Sequence, residues 1–259
     1  MTARPAADLR SPFDLSGRCA VVTGAGRGLG QAIARGLAQA GADLVLLGRP
    51  GSHSATRDQL AGFGGTVATV DLDVSDHDAI ERVAAQVNRD RQVDILVNNA
   101  GVIDREDSVD VSRQSWNRVV DVNLTGLFLL CQQFGRPMTE RGQGKIVNVA
   151  SLLSFQGGLR VAAYAASKHG VAGVTKALAN EWGRFGVQVN AIAPGYMNTD
   201  NTTALRADPD RSRSILERIP AGRWGDAADI AGAAVFLSSA AADYVNGHVL
   251  VVDGGWMAR

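Results

Sequence analysis

Cysteine is nearly absent: the chain has two, Cys19 and Cys131. Two thiols give no disulfide framework, and both lie in apolar stretches where a small core side chain is expected. A reducing, cytoplasmic setting follows from that usage. Charge of one sign is also lacking, because 26 Lys and Arg balance 26 Asp and Glu. No basic surplus is left to hold nucleic acid or an anionic membrane surface. No stretch is long and apolar enough to span a bilayer. The four histidines, His53, His77, His169 and His248, lack the spacing of metal ligands, so no metal site is predicted. The opening MTARPAADLRSPFDLSG has no apolar segment and does not read as a signal peptide. Linkers, low-complexity tracts and solenoid-length repeats are missing too.

What is present is a regular alternation of apolar runs and amphipathic stretches over 259 residues, with 30 glycines to make tight turns. Short runs at Arg18–Thr23, Asp43–Leu47, Thr66–Val70, Asp94–Val97, Lys145–Ala150, Val187–Ile192 and His248–Val252 read as buried strands. Helices are predicted between them, at about Asp76–Arg91, Ser115–Gln133, Val161–Phe185 and Asp226–Ser238. Asn198–Ser214 is polar and aperiodic. This order predicts a single α/β domain over 13–259, a Rossmann-type doubly wound parallel sheet of about seven strands with helices on both faces. Residues 1–12 are expected to form a flexible arm.

Two stretches carry chemistry. Thr23–Gly30, TGAGRGLG, follows the first strand and opens a helix. In that context glycines let the backbone approach a pyrophosphate, and the helix N-terminus supplies donors. The second stretch, Ser151–Lys168, follows the fifth strand. Tyr164 and Lys168 are four apart on one helix face. A fixed cation near a phenol favours the phenolate, which is how a tyrosine becomes a proton acceptor. Ser151, Tyr164 and Lys168 are therefore a candidate proton-transfer set.

These motifs together resemble the short-chain dehydrogenase/reductase family over residues 13–259. Thr23–Gly30 is similar to its TGxxxGxG loop, Asn98–Gly101 to its NNAG and Tyr164–Lys168 to its YxxxK. The resemblance implies that Tyr164 is the general acid/base and that Ser151 binds the substrate oxygen. It implies that Lys168 holds the nicotinamide ribose and lowers the tyrosine pKa, and that Asn123 holds a relay water. Gly24, Arg27, Gly28, Leu29 and Gly30 would cradle the cofactor, Asp73 and Val74 its adenine, and Asn98, Ala100 and Gly101 its ribose. Pro194, Gly195 and Thr199 would meet the nicotinamide. A plain structural role is open to Asp73, as a turn cap, and to Asn98, as a strand-tying amide.

The cofactor is NAD or NADP. No acid follows the second strand, where one would receive the NAD ribose, and Arg49 and Arg27 lean the reading to NADP. SFQGGLR and the terminal WMAR resemble sugar-acid dehydrogenases of the family, which are mostly associated with NAD. A small sugar acid needs a cation once water is excluded, so Arg105 and Arg160 are substrate candidates, with Gln156 for hydroxyls. The alternative substrate is a 3-oxoacyl carrier protein or another carbonyl compound. A dinucleotide-binding scaffold has no need of the Asn123, Ser151, Tyr164 and Lys168 set. The resemblance implies a homotetramer, and an apolar helix face at Ala177–Trp182 and a Trp-containing tail that would otherwise be exposed agree with it.

Overall fold

In the computed structural model, which describes residues 11–259, the apolar runs become one sheet. Its strands are β1 (Cys19–Thr23), β2 (Asp43–Gly48), β3 (Val67–Asp71), β4 (Ile95–Asn98), β5 (Gly144–Val149), β6 (Val187–Pro194) and β7 (Val249–Val252). All pairings are parallel, in the order β3-β2-β1-β4-β5-β6-β7. The central strands are buried almost throughout, because helices cover both faces of a parallel sheet. That is why they read as continuous apolar runs. Alternate side chains serve opposite cores: Cys19 and Val21 face one, Ala20 and Val22 the other. Edge strands β3 and β7 are mostly half-buried.

α1 (Gly28–Gln39) and α9 (Ala228–Ser238) pack together on one face. The other carries α3 (His77–Asp90), α4 (Arg113–Val120), α5 (Gly126–Arg141) and α6 (Ala162–Trp182). The chain moves from β1 outward to β3, then returns to place β4 on the far side of β1. A crevice opens at the carboxyl ends of the strands where that order reverses, and it holds the candidate site.

Three features depart from the sequence reading. The single helix predicted over 115–133 is α4, a π-helical turn at Asp121–Thr125, then α5. Asn123 lies in that wide turn, with its side chain bonded outside the helix. Gly126 follows it, where a Cβ would come 2.4 Å from the Val74 carbonyl oxygen, so only glycine permits this approach. Short helices α2 (Ser54–Leu60), α7 (Thr203–Ala207) and α8 (Pro209–Leu216) were not predicted. They bury few side chains, only Ile215 in α7 and α8 together, so they leave no apolar period to read. The start of α8 was legible, since Asp208 caps it and Pro209 occupies its first turn.

The predicted arm lies mostly outside the described residues. Its last residue, Pro12, accepts a hydrogen bond from the Ala241 amide at 3.1 Å, so the chain is already docked there. Both cysteines are buried and free, and burial pushes Cys19 up to about 11 and Cys131 up to about 12.

Candidate active site

The crevice is a cleft of about 540 Å³, within the range of small-molecule sites. Its floor at one end is the glycine loop. Gly24 and Gly28 take φ of +62° and +54°, a region L side chains rarely enter. A Cβ on Gly26 would stand 1.9 Å from the Ser52 carbonyl oxygen. Arg27 occupies the N-cap of α1 but caps none of its amides through its side chain, and the first turn holds no acid. The helix therefore offers uncapped N–H groups and a positive dipole end to an anion in the cleft.

Asn99 holds this loop in place. Its amide donates to the Thr23 and Gly24 carbonyls at 3.0 and 3.1 Å. The Thr23 hydroxyl accepts from the backbone N–H groups of Asn99 and Ala100, both at 3.0 Å. Asn99 was missed as a site residue, although it sits inside the NNAG segment. Asn98, expected at the ribose, is instead buried in the sheet. Its amide donates to Asn148 Oδ1 at 3.0 Å and to Cys131 Sγ at 3.2 Å. Side chains on a strand alternate in direction, so one of two adjacent asparagines faces the cleft loop and the other the core.

The other expected cofactor residues line the cleft: the glycine loop with Arg27 and Leu29, then Arg49, Asp73, Val74, Ala100, Gly101, Tyr164, Lys168, Pro194, Gly195 and Thr199. Asp73 is a turn cap that also borders the cleft. Its Oδ1 accepts from the Ser75 amide and hydroxyl at 3.0 and 2.7 Å. These bonds hold its carboxyl below the usual range, with a smaller pull from the Arg49 charge. At the end of β2, a side chain on residue 48 would meet Ser52 Oγ at 2.6 Å. The position of a ribose-binding acid is thus empty in sequence and already occupied in space by a hydroxyl. Across the cleft, Arg27 pairs with Asp200 at 2.8 Å.

The proton-transfer set gathers at the opposite end. Ser151 leaves β5 and its Oγ accepts the Leu153 amide at 3.2 Å. Tyr164 and Lys168 come from the first turns of α6. Lys168 is 4% exposed, and its Nζ donates to the Val149 carbonyl at 2.6 Å. That ammonium lies 5.6 Å from the Tyr164 ring centroid. Burial alone pushes Lys168 down to about 8. Burial also holds the Tyr164 phenol above its ordinary value, while the Ser151 hydroxyl and then the Arg105 charge pull it back. The sequence reading gave that role to Lys168. Here the ammonium donates to a backbone carbonyl while staying close to the phenol ring, and the Arg105 charge adds to the pull.

Asn123 is fully buried and does not border the cleft. Its Oδ1 accepts from Val102 N–H at 2.8 Å, and its amide donates to the Val102 carbonyl and Ser167 Oγ at 2.9 and 3.1 Å. With those atoms engaged, its side chain positions the 101–102 loop against α6. Of the substrate candidates, Arg105 donates to the Asn201 carbonyl at 2.9 Å, beside the cleft residues 199–202. Arg160, at φ +63°, pairs with Asp107 at 3.1 Å on the surface. Gln156 turns to the C-terminal segment, donating to Met257 Sδ at 2.7 Å. None of the three lines the cleft itself, and only Arg105 is bonded to a residue that does.

Open glycine backbone, an uncapped helix start and a polar proton-transfer end fit a nicotinamide dinucleotide. Among the described residues no cluster of His, Cys, Asp or Glu could hold a metal, and no helix is long and apolar enough to cross a membrane. A family profile described as enoyl-(acyl carrier protein) reductase matches residues 24–257. The chain belongs to the short-chain dehydrogenase/reductase family. Within it, the chain is 55% identical over 251 residues to a 2-dehydro-3-deoxy-D-gluconate 5-dehydrogenase of Bacillus subtilis, covering 97% of this chain and 99% of that one. A proposed 2-deoxy-D-gluconate 3-dehydrogenase from Agrobacterium tumefaciens, solved with bound NADP, superposes at TM-score 0.91 with 57% identity, covering 96% of this chain and all of that one. A gluconate 5-dehydrogenase from Burkholderia cenocepacia, in complex with NADP and tartrate, superposes at 0.92 with 39% identity, covering 96% and 98%.

Proposed function

We propose that this chain is an NAD(P)-dependent dehydrogenase that interconverts a secondary alcohol and a ketone on a sugar acid. Its first-choice substrates are 2-dehydro-3-deoxy-D-gluconate and 2-deoxy-D-gluconate. The observation that carries the reading is a single cleft with a glycine cradle at one end and Ser151, Tyr164 and Lys168 at the other. The bound cofactor supplies or accepts the hydride. The protein's residues handle the proton. Ser151 holds the substrate oxygen beside the Tyr164 hydroxyl. With its pKa held up, the phenol is protonated at neutral pH and ready to donate to a carbonyl oxygen. Alcohol oxidation, which needs the phenolate, quickens as pH rises.

NADP is the cofactor we favour. Arg49 borders the cleft, residue 48 has no acid, and Ser52 sits where that acid would point. The relatives solved with NADP support it. Arg105 is the cation we assign to the substrate carboxylate, since its charge reaches Tyr164. The Bacillus relative's named substrate and the tartrate in the Burkholderia neighbour are both hydroxy acids of the kind Arg105 would bind. The family profile's description keeps an acyl-carrier substrate as the second reading. A single domain over 13–259, a homotetramer and a cytoplasmic location complete the proposal. The tetramer rests on half-exposed apolar side chains such as Trp116 and Phe128 on α4 and α5. The tail gives it no support, because Trp256 is buried within its own chain.

Oxidation of a panel of sugar acids with NAD and NADP, alongside reduction of keto acids and one 3-oxoacyl thioester with NADH and NADPH, tests the substrate and the cofactor. Oxidation of the two deoxyhexonates with a preference for NADP is expected. Turnover of the thioester alone would overturn the substrate assignment.

A further inference from the structure

The C-terminal residues form a small core of their own. Trp256 is 5% exposed and packs with Leu152, Ile215 and Ile219, apart from the two main cores. Leu152 directly follows Ser151. Ile215 lies in α8, and Ile219 just beyond it. The Trp256 Nε1–H points to Gln156 Oε1 at 3.4 Å, and the Arg218 guanidinium lies over the indole, 3.9 Å from its centroid. The Tyr196 ring, one residue past the cleft residue Gly195, is tilted against it at 4.6 Å between centroids. The tail is held rigidly: Asp253 accepts the Gly255 and Met257 amides, both at 2.8 Å, and Ala221 N–H donates to the Gly254 carbonyl at 3.0 Å.

We infer that Trp256 is a positioning residue for the substrate end of the cleft, joining the Ser151–Gln156 segment to α8. This rests on the reading of that end as a sugar-acid site. The physical reason is connectivity. α7 and α8 bury almost nothing else, so their place depends on Ile215, Ile219 and the stacked Arg218 finding the indole. Residues 199–202, which line the cleft, lead straight into them. On the other side, Leu152 and Gln156 couple the same indole to the chain that carries Ser151. One aromatic side chain thus sets the spacing between two walls that meet the substrate, while the glycine cradle touches those walls only through the exposed Arg27–Asp200 pair. The sequence departs here from a mere surface tail: a polar, aperiodic segment is anchored by a residue some forty positions away.

Trp256→Ala is expected to raise the KM for the deoxy-keto-hexonate about tenfold, with the NADPH Kd kept within about twofold. Trypsin should cut after Arg211 and Arg213 about tenfold faster than in the wild type, because α8 opens locally. Trp256→Phe keeps the ring and loses the bond to Gln156, so a smaller KM rise with near-normal trypsin resistance is expected. If Trp256→Ala does not fold, Trp256→Phe decides by the same KM. Unchanged KM and unchanged cleavage, or equal changes in substrate and cofactor affinity, overturn the inference. If the wild type does not turn over the sugar acid, the functional proposal fails while the trypsin comparison still decides the role of Trp256.

Discussion

Replacing Lys168 with methionine isolates the cost of burying an ammonium beneath the cleft. The side chain is 4% exposed and burial moves its pKa from 10.5 down to about 8. That displacement corresponds to roughly 3 kcal/mol of unfavourable free energy for keeping the charged form folded. The sign follows from proton counts. Between about pH 8 and 10.5 the folded lysine has lost its proton and the unfolded one retains it. The unfolded state binds more protons there, so stability rises with pH across that window. Methionine has a similar shape and no titration. Its lost hydrogen bond to the Val149 carbonyl shifts stability by a constant at every pH. The wild-type minus Lys168→Met difference should therefore be flat below pH 8 and grow by roughly 3 kcal/mol toward pH 10.5, in favour of the wild type. Urea unfolding of cofactor-free protein at fixed protomer concentration measures it, and each kcal/mol moves Tm by about 2–4 °C in a chain of this size. Parallel pH curves for the two proteins would refute the buried-ammonium argument.

Five further outcomes can be checked directly. Tyr164→Phe should lower kcat by about 10²–10⁴ while NADPH binding, followed by fluorescence, holds steady. Arg105→Ala should raise the keto-acid KM and shift the tyrosine limb of the pH–rate profile upward, since a positive charge near the phenol is lost. Arg160→Ala should change neither, because that side chain is tied to Asp107 on the surface. Arg49→Ala should cut kcat/KM for NADP by about 10–100-fold relative to NAD, the loss of a charged hydrogen bond. Gly26→Ala should cost about 1–3 kcal/mol by calorimetry and weaken cofactor binding, as its methyl displaces the Ser52 backbone.

Strands and most helices could be read because a sheet covered on both faces demands continuous apolar runs, and β1 through β6 supply them at the expected places. The glycine loop and the Tyr164–Lys168 spacing were legible for a local reason: turn geometry and helical periodicity are set by neighbours in the chain. What local pattern could not show was direction. Asn98 and Asn99 are adjacent and alike, yet one ties β4 to β5 and the other holds the glycine loop. Arg105 and Arg160 looked equivalent as partners for an acid, with Gln156 beside them for hydroxyls, but Asp107 takes Arg160 and the tail takes Gln156.

The sequence by itself determined the parallel α/β sheet and the residues that meet in its cleft, the glycine loop with Ser151, Tyr164 and Lys168. Each depends on short-range spacing. Tertiary structure alone decided that the Arg105 charge reaches the Tyr164 phenol, that Ser52 fills the space beside residue 48, and that Trp256 lies inside its own chain. Those are contacts between segments distant in sequence, fixed only when the sheet brings the carboxyl ends of its strands to one edge.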